Sequence, residues 1–277
     1  MRFFFALILV SAGASAKNPI QKELTIRPGE VRWVELELPG EELKLFCRDQ
    51  RVKLQREGKR VQAVIIESYF SDLNPFTCTF KEGDQVYAEL FFKVEGREYK
   101  AEQLKVAPKT IKLSPANQKR AEAEQLVLNK IYSLSLDRTQ FQTAFQAPMT
   151  SSVTSVYGTK RVYNKHKQGQ HLGIDYRAAV GDNVPAANAG RVVFAGDLFY
   201  TGGTVIIDHG LDIFSVYGHL SKTLVEAGQA VARGQLIGLS GNTGRTSGPH
   251  LHWGVRVQGQ YIDGDVMIKE TKKAFKE

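Results

Sequence analysis

Apolar and polar residues alternate through the first third of the chain. Val34, Leu36 and Leu38 are separated by Glu35 and Glu37, the period-2 pattern of a strand with one buried face. Pro39-Gly40 ends that run. The same reading predicts strands at Leu43–Cys47, Val52–Gln55, Val61–Ile66, Phe76–Phe80, Val86–Val94 and Tyr99–Val106. Turn residues separate several of them: Glu57-Gly58-Lys59, Asn74-Pro75, Glu82-Gly83-Asp84 and Glu95-Gly96. Many short strands at this spacing predict a β-sandwich of immunoglobulin-like type over residues 17–108. The period then changes. Ser114 can cap a helix whose first position suits Pro115. Its body, Ala116 to about Tyr132, is rich in Ala, Glu, Gln, Lys and Leu, and Val127, Leu128, Ile131 and Tyr132 share one face. This helix sits in a linker, residues 109–140. From Phe141 the chain is glycine-rich and β-patterned again, with almost no helical periodicity, so residues 141–277 read as a twisted antiparallel β domain. The fold class expected is all-β in the main.

The N-terminus reads differently. Arg2 is followed by the apolar run Phe3–Val10 and by small residues ending Ala14-Ser15-Ala16. This is the pattern of a secretory signal peptide, residues 1–16, cut after Ala16. The run is short of the ~20 residues that span a bilayer, so no stable membrane anchor is expected after cleavage. Export makes a disulfide between Cys47 and Cys78, the only two cysteines, plausible. The formal charge is +8, or +7 without Arg2. A basic exported chain suits an anionic polymer such as cell wall, and export argues against nucleic acid.

Candidate chemistry is concentrated in the histidines. Five of six fall within or beside three short segments: His171-Leu172-Gly173-Ile174-Asp175, Tyr217-Gly218-His219-Leu220 preceded by His209, and His250-Leu251-His252-Trp253. Residues two apart on a strand share a face, so His250 and His252 project side by side about 6–7 Å apart. One can bind a metal while the other faces its open position. His171 and Asp175 would lie ~13 Å apart on an extended strand, too far for one ion, so the chain must bend, and Gly173 supplies the freedom. Two imidazoles and a carboxylate form a common catalytic zinc set that leaves a position for water. The remaining tasks, stabilising an oxyanion and moving protons, need further donors and bases. His219 and His250 are the candidates. His209 reads as structural and His166, between Lys165 and Lys167, as an exposed side chain.

These segments resemble the lysostaphin-type (LytM-type) zinc metallopeptidases, the glycyl-glycine endopeptidase family of cell-wall hydrolases. The resemblance runs from about Pro148 to Asp265. Beside the histidine segments it includes Thr150–Gly158, Ile207-Asp208-His209-Gly210, Ser240-Gly241-Asn242-Thr243-Gly244 and Gly248-Pro249. It implies His171, Asp175 and His252 as ligands of one Zn²⁺ per chain, and His219 and His250 as catalytic histidines. It implies Tyr157, Tyr200, Asn242 and Thr243 as residues lining a substrate groove. It further implies an endopeptidase acting on peptidoglycan stem peptides or cross-bridges. The signal peptide points to the periplasm or to secretion, a D,D-type cross-link is favoured because no Gram-positive wall-targeting module is recognisable, and a monomer is expected. The alternative is a non-enzymatic or latent regulator of wall hydrolases, the latent form gated by the N-terminal domain or the linker helix.

Overall fold

A computed structural model describes residues 18–104, 113–163 and 167–277. The signal-peptide segment 1–16 and His166 lie outside the described residues. The N-terminal part holds two sheets. Ile20–Ile26, Gln85–Val94, Phe76–Glu82, Lys44–Cys47 and Gln50–Val52 form one, in that order. Val31–Glu37, Arg60–Ile66 and Leu54–Glu57 form the other. Their alternating apolar positions meet in a core of Ile26, Leu38, Leu45, Phe80, Leu90 and Phe92. Hence Val34 and Leu36 are buried, while Glu35 between them bonds Arg60 and Gln62 at the surface side. Cys47 and Cys78 are joined by a disulfide. They lie opposite one another on adjacent strands of a single sheet. This departs from the immunoglobulin hallmark of a disulfide between the two sheets. The first strand also pairs parallel to Gln85–Val94.

The linker helix spans Pro115–Tyr132, with Ser114 as its cap accepting from Asn117 N. Its packed face keeps Leu128 and Tyr132 of the expected four, and departs at Val127. Tyr132 is buried against Phe214, ring centroids 4.9 Å apart, and Leu128 joins the same cluster. Val127 is 55% exposed and off that face.

The C-terminal part is built on an eight-stranded sheet. Val153–Ser155, Ile174–Arg177, His250–Val257, Ile213–Leu220, Gly202–Asp208, Gly190–Leu198 and Ala230–Val231 run in that order, and Gln260–Ile262 pairs with His250–Val257. All eight residues of Ile213–Leu220 are buried. Ile213 and Tyr217 face the main core, while Phe214 and Val216 face the linker helix. A helix over Gly264–Phe275 corrects the expectation of a purely β ending. Asp263 caps it, and Gly264 packs so tightly on Trp253 that an added Cβ would lie 2.5 Å from the indole.

The two parts share one core: Val31 and Val64 cluster with C-terminal residues. Trp33 packs against Phe141 and Phe275 at centroid distances of 6.1 and 5.7 Å. Arg97 pairs with Asp263 at 2.5 Å. The strand Ala101–Leu104 leaves the N-terminal part altogether and pairs parallel with Lys160–Tyr163, which pairs in turn with Lys167–Gln170. No described helix is long and apolar enough to cross a membrane.

Candidate metal centre

Antiparallel pairing brings the ligand candidates together. Asp175 stands directly opposite His252 in the ladder between Ile174–Arg177 and His250–Val257. Gly218 faces His252 from the other side. His171 enters from the loop just before Ile174. Its Nε2 lies 2.9 Å from Asp175 Oδ1 and 3.2 Å from His252 Nδ1, and His252 Nδ1 lies 2.9 Å from the same Oδ1. Ligands held tetrahedrally at about 2.0–2.1 Å from one ion stand about 3.3 Å apart, so this triangle has the dimensions of a metal site. His171 and Asp175 are buried.

Gly173 serves otherwise than as a conformational hinge, since it is not among the glycines with positive φ. It leaves room: an added Cβ would lie 2.4 Å from His252 Cε1 and 2.9 Å from the Trp253 carbonyl. The ring orientations are fixed from behind. His171 Nδ1 lies 3.2 Å from the Val156 carbonyl and 3.1 Å from Ser155 Oγ. A nitrogen that donates to a carbonyl leaves the other ring nitrogen free as a ligand.

His219 and His250 stand beside the triangle, their rings 4.7 Å apart. His250 Nε2 reaches to 3.6 Å from Asp175 Oδ1. Both present Nε2 because Nδ1 is engaged: His219 Nδ1 donates to the Thr243 carbonyl at 2.8 Å, and His250 Nδ1 to the Gly248 carbonyl at 2.8 Å. His219 takes φ 63°. It lies in a bulge, because Gly203 pairs with Leu220 but Val205 with Tyr217. Bulges of this kind re-aim a side chain. Burial pushes the His219 pKa down to about 4, against the help of the Thr243 carbonyl, so the ring is neutral near pH 7. Burial works against the Asp175 charge, but hydrogen bonds from His171 and His252 outweigh it and hold the carboxyl below its usual range.

The groove candidates divide. Tyr157 is 3% exposed, donates to the Tyr261 carbonyl at 2.8 Å and packs against Tyr69 and Tyr99. It is a core residue between the two halves of the chain, which corrects the expectation that it lines a groove. Tyr200 is 50% exposed. Its loop and the 240–249 loop are tied together, Arg245 N donating to the Tyr200 carbonyl at 2.9 Å and Gly203 N to Thr243 Oγ1 at 2.9 Å. Asn242 is exposed on the second loop, and Thr243 acts through its carbonyl on His219. His209 is fully buried, bonding the Ala189 carbonyl and Ser215 Oγ at 2.7 Å each. Sequence reasoning missed Arg161, whose guanidinium lies 3.4 Å from Asp175 Oδ2, and Thr246, 3.1 Å from His250 Nδ1. A lone Arg or Thr outside the histidine segments carries no local signal for such a role.

Fold and side chains together define a twisted β-sheet domain in which two imidazoles and a carboxylate converge with the dimensions of a metal site. Residues 169–264 match Peptidase family M23, and this part of the chain is an M23 peptidase domain of LytM type. Peptidoglycan DD-endopeptidase ShyA of Vibrio cholerae is 41% identical over 126 residues, which are 44% of this chain and 29% of that protein. DD-carboxypeptidase/endopeptidase Mpg of Neisseria meningitidis is 36% identical over 111 residues, 40% of this chain and 26% of that protein. The chain thus aligns with under a third of the length of these curated relatives. A crystal structure of a Pseudomonas aeruginosa protein assigned to peptidase M23 is 27% identical. It covers 92% of this chain and 97% of its own, with a TM-score of 0.69, so the likeness of fold extends to the N-terminal half.

Proposed function

We propose that this chain is a zinc-dependent endopeptidase that hydrolyses peptide cross-links of bacterial peptidoglycan, in the periplasm or secreted to the wall. The observation that carries the reading is the His171, Asp175 and His252 triangle with two further imidazoles presented beside it. His171 Nε2, Asp175 Oδ1 and His252 Nδ1 would hold the ion. The donor set suits zinc, with two imidazoles, one carboxylate and ligand spacings of 2.9–3.2 Å. Zinc, when bound, supplies a Lewis acid that polarises the scissile carbonyl and raises the acidity of water. His219 and His250 then divide the remaining work. A neutral imidazole with a free Nε2 can take the proton from the attacking water, and its conjugate acid can support the oxyanion or protonate the leaving amine. The exposed Tyr200 and Asn242 adjoin Thr201 and Thr243, whose carbonyls hold His219, and are candidate peptide contacts.

The two named relatives support a D,D cross-link as the scissile bond. Purified protein incubated with sacculi should release soluble muropeptides and lose that ability on chelation. Mass spectrometry of the products identifies the bond. Intact sacculi under zinc-replete conditions contradict the reading and favour the non-enzymatic alternative.

A further inference from the structure

We propose that Arg161 is a positioning residue for the metal-binding carboxylate, and that the N-terminal half of the chain holds it in place. This rests on the zinc reading above. Asp175 uses its two oxygens differently. Oδ1 faces His171, His252 and His250, at 2.9, 2.9 and 3.6 Å. Oδ2 faces the Arg161 guanidinium at 3.4 Å. The same guanidinium nitrogen donates to Ser155 Oγ at 3.1 Å, and that oxygen lies 3.1 Å from His171 Nδ1. One cation therefore reaches the outer side of two ligands. A carboxylate with its outer oxygen anchored cannot swing Oδ1 away from the ion, and its charge stays where the metal needs it.

What holds Arg161 comes from the other end of the sequence. Its strand, Lys160–Tyr163, is flanked on one side by Lys167–Gln170 and on the other by Ala101–Leu104, with Arg161 opposite Glu102. Lys160 N donates to the Lys100 carbonyl at 2.8 Å. Without Ala101–Leu104 this strand would be an edge with unpaired backbone groups, free to shift. The bracing continues one turn earlier. Tyr99 lies flat against Gly158, where an added Cβ would be 2.1 Å from the ring, and Tyr69 donates to the Gly158 carbonyl at 3.2 Å. Gly158 N donates to the His171 carbonyl at 2.7 Å, and His171 N to Thr159 at 2.9 Å. The segment carrying Arg161 is thus clamped between Tyr69, Tyr99 and Ala101–Leu104 on one side and the ligand His171 on the other. The N-terminal half is a working part of the metal site.

The test uses the full chain and measures zinc affinity by competition with a chromophoric chelator, alongside the melting temperature of the metal-free protein. Arg161→Gln should weaken zinc binding roughly 10- to 100-fold at a near-native melting temperature, and Arg161→Lys should recover part of the loss. Tyr99→Ala, which touches no ligand, should weaken it roughly 2- to 30-fold. Unchanged zinc affinity in Arg161→Gln overturns the proposal. A Tyr99→Ala protein that melts lower but binds zinc like wild type overturns its second half. A wild-type chain that takes up no zinc sinks the zinc reading and this inference together, whereas tight wild-type binding with indifferent variants sinks only the inference.

Discussion

His219 adopts the left-handed region at φ 63°, a conformation costing a non-glycine residue of order 1–3 kcal/mol and found where the surrounding structure over-determines it. Here the Thr201 carbonyl, 2.6 Å from His219 N, and the Thr243 carbonyl behind the ring supply that constraint. The arrangement spends stability on aim. Replacing His219 or His250 by Ala should therefore leave zinc content at one per chain while kcat on sacculi falls roughly 10²–10⁴-fold. Gly173→Ala should act oppositely. Its Cβ would collide with the His252 ring, so zinc affinity should drop by roughly tenfold or more, read by chelator competition. His209 carries a pH prediction. Burial pushes its pKa down from 6.5 to about 4, so the unfolded chain takes up a proton before the folded one does. Its contribution to stability is complete above pH 6.5 and is lost as pH falls from 6.5 towards 4, by roughly 3 kcal/mol. Urea unfolding at pH 7.5 and 4.5 should give a smaller acid loss for His209→Gln than for wild type. The structure brings His171, Asp175, His219, His250 and His252 together. Spacing put His250 and His252 on one face, whereas the loop that delivers His171 and the bulge that aims His219 leave no periodic mark. Tyr157 misled because its segment borders the site while its side chain turns into the core between the halves.

Among the elements, the alternating strands of the N-terminal half were readable, since one face of each meets a core and the other meets water. Pairing partners were not, because a parallel first strand and a strand exchanged into the other half leave no periodic mark of their own. The linker helix was announced by Ser114-Pro115 and its packed Leu128 and Tyr132 by their spacing, but what that face meets was not. The surface it meets comes from Phe214 and Val216, about 80 to 100 residues downstream. The Gly264–Phe275 helix escaped notice although Val266, Met267, Ile268 and Phe275 pack on the core, because its buried positions also include Gly264, Glu270 and Thr271, which blur the apolar periodicity. Asp263 and Asp265 at its start and Lys272 and Lys273 at its end were the available signals. The disulfide closes a separation of 31 residues within one sheet. Its removal in a Cys47→Ala/Cys78→Ala chain should destabilise the protein by roughly 2–4 kcal/mol, measured by denaturant unfolding. Zinc affinity should stay unchanged, because neither cysteine touches the segments that brace the site.

At the scale of the whole molecule, sequence reading placed a boundary near residue 141, whereas the structure packs Val31, Trp33 and Val64 into the core of the C-terminal half. Contacts between the halves that span 166 residues, as Arg97 with Asp263, or 89, as Tyr69 with Gly158, cannot be read from local pattern. The linker helix reaches the segment that leads into the Tyr200 loop. Arg120 pairs with Asp197, and Glu124 accepts from Phe199 N at 2.8 Å, so it steadies the loop that carries Tyr200. The net charge of +8 suits approach to an anionic wall, and binding to sacculi should weaken as salt rises. The most direct measurement is a paired one on purified full-length protein: bound zinc by elemental analysis, and the muropeptides it releases from sacculi by mass spectrometry. The account predicts one zinc per chain and uncross-linked peptides that vanish together when His171 is replaced by Ala. Stoichiometric zinc without any cleavage, or cleavage that survives loss of the metal, would contradict it.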